Sequence, residues 1–589
     1  MTYRASKYRI MSILLVFAMT IGAFTGFSYI SAGEEQVTIL YEEESKRTEN
    51  EKHYLCSDGS YVALSYPGAV HYKAEDGSYQ EIENALVYDE KTGTYQNPGN
   101  PDFSVSLATT ENTDAVSVKA KELEEISFST ALLINGNGNS PKPQKKNIKA
   151  FNNMAKNAAG KNAKNPTVFD LPQVSSSLEY AKYYGDQPVV TGKYTLGGNA
   201  LKEDIILTVP TDVTGLVTTY KVKNMTLTVN PDGSLLFKTA DGKDAYTVNA
   251  PYMYDAEGSR CPSIAVSAVQ KGNKFEVTYL PDSAWLTSAE RVYPLTFDPT
   301  ITTTSFAFSC DDRYYAGGVA YDSQELRVGY SFTGQSNFWY TYFKPLSYPE
   351  INQDYYTVTT VLMSFSMLTV AGSSPYANVY KLNSGADPAD LNISEDGTYM
   401  GYMEMWEGNR GDFSLGTSYY TDNTLSEYVL WPQNTTTSYG YCYFGSMEHT
   451  TNRPMMRISY RPKALEGKFV LKNGTNYLLS NGGSATAPAL QFKSAFDESD
   501  FYYCEWTFGY NETKRAYTIS PAYDPQLCLQ ANSDNTATLV VAPATLTNNH
   551  FWYIDTDADE SYLKIKSVGQ SGNNLCITNN MALHSPSED

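Results

Sequence analysis

Short runs of alternating apolar and polar residues, cut at frequent intervals by turn-forming pairs, leave this chain little room for anything but β-structure. A period of two puts every second side chain on one face of a strand, and Gly, Pro, Asn and Asp between runs supply the reversals. The pattern begins at Ser60-Tyr61-Val62-Ala63-Leu64, turns at Asp76-Gly77 and resumes from Gln80 to Tyr88. It returns in Lys202-Glu203-Asp204-Ile205-Ile206-Leu207-Thr208-Val209. A hairpin follows, with Thr226 to Val229 as one arm, Asn230-Pro231-Asp232-Gly233 as the turn and Ser234 to Phe237 as the other arm. Lys274 to Leu280 and Arg291 to Thr300 continue it. No helical periodicity of useful length occurs beyond the N-terminus, so an all-β chain is expected.

At 589 residues the chain is too long for one hydrophobic core, and at about 100 to 200 residues per domain three or four are expected. One composition break stands out. Between residues 136 and 165 the chain turns to Gly, Asn, Lys and Ala, with Lys142, Lys145, Lys146, Lys149, Lys156, Lys161 and Lys164 and no acid. Such a stretch is expected to be a solvated, disordered linker inside a β-rich region spanning residues 34–301.

The first 33 residues read as an export signal. Arg4, Lys7 and Arg9 precede an uncharged apolar run from Ile10 to Phe27, and Ser31, Ala32 and Gly33 offer small residues for cleavage. The alternative is an uncleaved membrane anchor, since the run approaches the roughly 18 residues at which spanning begins. Removing the signal takes away three basic residues and moves the net charge from −21 to −24. A surface that acidic repels nucleic acid and anionic lipid. The expected location is extracellular or in the cell wall. Seven cysteines form no C-x-x-C pair, so neither a zinc ribbon nor a redox motif is expected, and buried free thiols are the default reading.

A set of local patterns carries a resemblance. These are Tyr66-Pro67 to Val70-His71-Tyr72, Gln80 to Asn84, Leu201 to Ile205, Ala250-Pro251-Tyr252-Met253 and Tyr293-Pro294-Leu295-Thr296-Phe297-Asp298-Pro299. Farther on come Leu326-Arg327-Val328-Gly329, Tyr340 to Pro345, Val358 to Leu368, and Arg453-Pro454-Met455-Met456-Arg457-Ile458-Ser459-Tyr460. Their order and spacing resemble Gram-positive wall-associated proteins with a DNRLRE domain, some of which carry RHS repeats; no such repeats occur here. The resemblance implies a carbohydrate-binding-module-like β-sandwich over residues 302–461, used for display or adhesion. Short strands at regular spacing with Gly, Ser and Asn turns argue for a sandwich independently.

Residues 464–589 hold an internal repeat. Phe469-Val470-Leu471, Tyr477-Leu478 and Trp506 are matched by Tyr517-Thr518-Ile519, Cys528-Leu529 and Trp552, then by Tyr562-Leu563-Lys564-Ile565 and Cys576-Ile577. The starts step by 48 and 45 residues and the tryptophans by 46. This order resembles a ricin-type β-trefoil lectin domain, with a third lobe expected to be incomplete. Trp506 and Trp552 are expected in its core. The family's sugar-binding positions are poorly kept: Leu479, Gln530 and Thr578 stand at the aspartate, and Lys493 and Ala542 at the stacking aromatic. Only Asn549 keeps a family polar position, and it is the one carbohydrate-binding residue the resemblance implies.

Catalytic chemistry is not expected. None of His53, His71, His449, His550 and His584 lies in H-E-x-x-H, G-x-S-x-G or a phosphate loop. The stretch Asp555 to Glu560 begins like a calcium loop but lacks the sixth-position glycine and has Lys566 where a bidentate glutamate closes such a site. Neither a metal nor a cofactor is expected. The whole reads as an exported, non-catalytic envelope or secreted binding protein, whose partner is a glycan or cell-surface polymer and whose only membrane contact is an uncleaved signal. The alternative is the targeting portion of a larger secreted enzyme or toxin whose catalytic domain lies beyond residue 589.

Overall fold

Strands make up nearly all the regular structure, and the α-helices are single turns such as Ser283–Leu286, Ser418–Asp422 and Phe501–Cys504. The computed structural model describes residues 39–569 and the pairs 576–577 and 583–584. Within that span it leaves out 109–115, 135–143, 153–175, 184–187, 211, 257–258, 304–309, 322–324, 332–336, 373–375, 405–409, 434–439, 448, 450–451, 474, 481–488, 495–499, 534–535 and 557–562. The export-signal segment therefore lies outside the described residues. Among the described residues no helix is long and apolar enough to cross a membrane.

The central module packs an eight-stranded sheet on a ten-stranded one, every registered pair antiparallel. The period-two pattern accounts for the shared core. Phe103–Ala108 buries Phe103, Val105 and Leu107 while the intervening serines face outward. Lys274–Pro281 does the same with Phe275, Val277 and Tyr279. Leu201, Leu235, Phe237, Tyr246 and Leu295 meet them from the second sheet. Each such side chain contributes about 1.5 to 3 kcal/mol on burial.

One expectation fails in this module. The lysine-rich segment is not wholly a linker, because Gln144–Asn152 is a strand paired along its length with Ser176–Tyr183. It is the terminal strand of the ten-stranded sheet. The rest of the segment lies outside the described residues.

The second module also redraws a boundary. Its sheet of fourteen strands includes Met455–Pro462 and the 17-residue strand Tyr356–Gly372. It also takes in Ile39–Glu42, Glu51–Cys56 and Tyr61–Ser65 from the far N-terminus, where Tyr61 pairs with Tyr460 and Ser65 with Met456. Residues 34–301 are thus not one unit: the central module is inserted, in sequence, between the first strands of the second sandwich and the rest of it. Leu55, Tyr61 and Ala63 share a core with Leu326, Val361, Phe365, Phe444 and Ile458. The long strand pairs with Met455–Pro462 from Tyr356 to Ser364 and with Gly440–Gly445 from Met367 to Gly372, the second pairing carrying a register shift between Met367 and Thr369. A strand that changes partners midway joins the two layers of the sandwich.

The C-terminal module shows the repeat directly. Phe469–Val470, Glu505–Asn511, Ala516–Pro521, Trp552–Thr556 and Leu563–Ser567 lie side by side in that order. Hairpins project between them: Asn476–Leu479 with Gln491–Lys493, Leu527–Ala531 with Ala537–Val541, and Cys576–Ile577 with Leu583–His584. Trp506 and Trp552 are fully buried, and each indole N–H donates to a hairpin carbonyl at 3.1 Å, that of Leu478 and that of Leu529. The two tryptophans are therefore core residues in equivalent places.

The N-terminal hairpin also touches this module. A side chain at Gly59, whose φ is +76°, would meet the Lys514 carbonyl at 2.6 Å, so only glycine fits the turn there. Arg515 pairs with Asp58 at 2.7 Å, and Lys566 pairs with Glu43 out of solvent. The described cysteines are free thiols, with Cys56, Cys310, Cys442, Cys504 and Cys528 buried and Cys261 half-buried.

Candidate functional site

Four neighbouring strands of the second sandwich, Asn337–Pro345, Tyr428–Pro432, Tyr376–Leu382 and Gly397–Glu404, bring together residues far apart in the chain. One face of these strands is core, with Phe343, Leu430, Ala377, Val379 and Met403 buried. Registration then fixes the opposite face. Tyr342 lies opposite Val429, which lies opposite Tyr380, which lies opposite Tyr399. In the next row Trp431 lies opposite Asn378, and Asn378 opposite Tyr402. The outer face is thus an aromatic strip, interrupted only by Val429 in one row and Asn378 in the next.

Its two ends differ. At the inner end Tyr315 stacks on Tyr340 at 5.2 Å, and Phe338 and Tyr340 each approach Trp431 at 4.8 Å. Ala386, Ala389 and Leu391 pack over this part, and the Tyr340 hydroxyl donates to the Pro388 carbonyl at 2.8 Å. Burial, helped by Tyr315, Asp387 and Asp390, pushes that phenol up to about 12, so it stays a neutral donor. The outer end is open. Tyr399 is 55% and Tyr402 47% exposed, with Met400 between them, on the terminal strand of the sheet.

A bulge sets this open end. Val379 pairs with Gly401 but Tyr380 pairs with Tyr399, leaving Met400 as the extra residue. Gly401 takes φ +137°, a conformation side chains rarely adopt. The bulge sets Tyr399 edge-on to Tyr380 at 5.6 Å, and Tyr402 meets Tyr376 edge-on at 5.3 Å. Asn378 and the exposed Glu404 supply polar groups on the same face. Phenol rings with hydroxyls in water can stack on an apolar ligand face and hydrogen-bond its rim.

The site that the trefoil resemblance implies is less developed. Asn549 is half-buried in the turn Asn548–His550, with its amide oxygen against Gly569, where an added side chain would meet it at 2.0 Å. Leu479 is buried, Gln530 donates to Asn532 at 2.9 Å, Lys493 is tied to Asp500 at 2.7 Å and Ala542 is exposed. Thr578 lies outside the described residues, as does most of the calcium-loop-like stretch, of which Asp555 and Thr556 belong to a strand. Among the described residues, Leu479, Gln530, Lys493 and Ala542 thus supply neither the family's aspartate nor its stacking aromatic beside Asn549. The aromatic strip escapes sequence reading because its residues come from four separate segments; the abundance of tyrosine was the only signal.

No family model matches the chain, and no curated protein matches it. Among solved structures it is similar to a heparinase III gene product, at 8% identity over 46% of this chain and 42% of that one, with a TM-score of 0.24. A mosquitocidal holotoxin shows 10% identity over 94% of this chain and 63% of its own, with a TM-score of 0.19. An arabinofuranosidase complexed with arabinofuranosyl-xylobiose shows 10% identity over 57% and 87%, with a TM-score of 0.16. The chain spans less than two thirds of the length of the first two.

Proposed function

We propose that this chain is an exported, non-catalytic binding protein of the cell envelope that holds an uncharged glycan on the open tyrosine face of its second sandwich. The observation that carries the reading is the exposed pair Tyr399 and Tyr402, backed edge-on by Tyr380 and Tyr376 on the outer sheet face beside Asn378. Solvent-exposed aromatic surface costs solubility unless something covers it. A sugar ring offers a matching apolar face and a rim of hydroxyls. The resemblance to wall-associated DNRLRE proteins and to ricin-type trefoils supports the same class of partner. The net charge of −21 disfavours an anionic polymer.

The test is retention on insoluble wall and plant polysaccharides, followed by titration with soluble fragments of whichever is retained. Tyr399→Ala and Tyr402→Ala should each weaken binding by about five- to thirtyfold, as expected for losing roughly 1 to 2 kcal/mol of stacking. Both residues are about half exposed and lose one edge-on partner each, so stability should fall by no more than about 1 kcal/mol. Retention that survives the double substitution would refute the site. Turnover of the retained polymer that survives repurification would refute the non-catalytic reading.

A further inference from the structure

A second cluster lies at the start of the fold, away from the tyrosine face. Glu42 ends the first strand, His71 opens His71–Lys73, and Glu81 closes Tyr79–Glu81, where it is the registered partner of His71. Their ligand atoms lie within 4.8 Å of one another.

The imidazole is fixed in one orientation. His71 is fully buried, and its Nδ1 lies 2.7 Å from the Thr48 carbonyl, which can only accept, so Nδ1 carries the proton. In the neutral ring Nε2 then presents a lone pair, with no hydrogen-bond partner among the described residues. It faces the gap between Glu42 Oε1 at 3.9 Å and Glu81 Oε1 at 3.8 Å. An imidazole held by a backbone carbonyl on one nitrogen, with the other free beside carboxylates, is the usual arrangement of a metal-binding histidine.

The size of the gap separates a metal ion from a proton. A hydrogen bond spans about 2.7 to 3.2 Å, so a proton on Nε2 would reach neither carboxylate at the distances found. Ligand bonds of about 2.0 to 2.2 Å place two donors of a tetrahedral ion roughly 3.3 to 3.6 Å apart, so each carboxylate oxygen needs to move in by only about 0.2 to 0.6 Å from the separations found. Charge points the same way. Glu42, Glu44 and Glu81 set three negative charges against the two positive charges of Arg47 and Lys52.

We propose that Glu42, His71 and Glu81 form a binding site for one divalent transition-metal ion of the zinc class. One nitrogen and two carboxylate oxygens suit such an ion better than calcium or magnesium, which take oxygen ligands alone. Arg47 grips both Glu42 oxygens, donating from Nε to the ligand oxygen Oε1 at 2.6 Å and from Nη2 to Oε2 at 3.1 Å, so it has to shift towards Oε2 when the ion binds. Lys52 contacts the Glu81 oxygen that would bind the ion and Arg47 lies 3.5 Å from it, so both cations must give way there. Glu81 is half-exposed and gives the ion its route in and a place for water.

The full chain, stripped with chelator and shown folded by circular dichroism, is titrated with Zn²⁺ and separately with Co²⁺. One equivalent should bind, with a saturable rise in melting temperature and a Co²⁺ absorption band in the visible. Glu81→Gln, at a half-exposed position that should fold, should weaken binding by more than about tenfold, and His71→Asn should abolish the band. Lys52→Met should tighten binding, because it removes a competing cation. A folded wild-type chain showing neither band nor melting shift overturns the proposal. So does an unchanged response in Glu81→Gln, which would place the ion elsewhere on the acidic surface.

Discussion

Replacing Lys566 with methionine should destabilise the contact between the N-terminal strands and the C-terminal module far more than loss of an ordinary ion pair. The ammonium of Lys566 and the carboxylate of Glu43 are 2% and 3% exposed. Truncating one partner strands the other charge out of water, which costs about 3 to 5 kcal/mol. Lys243 with Asp241, at 81% and 60% exposure, is the control: Lys243→Met should fall within the roughly 0 to 1 kcal/mol typical of surface pairs. Because the penalty comes from the stranded carboxylate, adding Glu43→Gln to Lys566→Met should restore most of the loss. Urea unfolding followed by tryptophan fluorescence reads this out, since Trp506 and Trp552 are buried within the C-terminal module. If Lys566→Met lies within 1 kcal/mol of wild type, or the double variant is no better than the single, the reasoning about this buried pair is wrong.

Trp506→Phe and Trp552→Phe each remove an indole donor from a buried carbonyl and leave a void, so each should cost about 2 to 4 kcal/mol. As repeat equivalents they should agree within about 1 kcal/mol in the same assay. His449 gives a pH dependence: burial, with Lys202 and Arg453 nearby, lowers its imidazole to about 3, and the Asn452 N–H donates to Nδ1 at 3.0 Å. The unfolded chain takes up the proton first, so this contribution is complete above the ordinary value of 6.5 and declines as pH falls from there towards 3. Between pH 7 and 5.5 it should amount to about 1 kcal/mol. Comparing urea midpoints of wild type and His449→Gln across that range checks it; parallel pH profiles would count against a buried neutral imidazole.

What could be read from the sequence was what neighbours in the chain decide. The hairpin around Asn230-Pro231-Asp232-Gly233 joins Met225–Val229 to Leu235–Thr239 in register, because turn chemistry and alternation act within a few residues. The buried tryptophans of the C-terminal repeat could be read because a repeat states its own register. What could not be read was pairing across the chain. Nothing local in Tyr61-Val62-Ala63-Leu64-Ser65 says that, beside its hairpin with Glu51 to Leu55, its second partner is Met456 to Tyr460. The lysine-rich composition of Gln144–Asn152 reads as a linker, yet its backbone pairs with Ser176–Tyr183, a partner that local composition does not reveal. His71, dismissed as lying outside every known motif, gains its neighbours only through a registered pair and a distant strand.

The inserted position of the central module has a consequence for the order in which the chain can fold. His53 Nδ1 meets the Tyr460 hydroxyl at 2.8 Å across 407 positions of sequence. The second sandwich therefore cannot complete its sheet until nearly everything between has been made. The central module draws its core from contiguous chain and can close while the N-terminal strands that flank it, paired only with one another, wait for Met455–Pro462. Contacts so remote in sequence are slow to form, and the waiting strands are open to wrong partners. Refolding from urea should accordingly show two phases, the fast one independent of residues 39–65 and the slow one lost when they are removed.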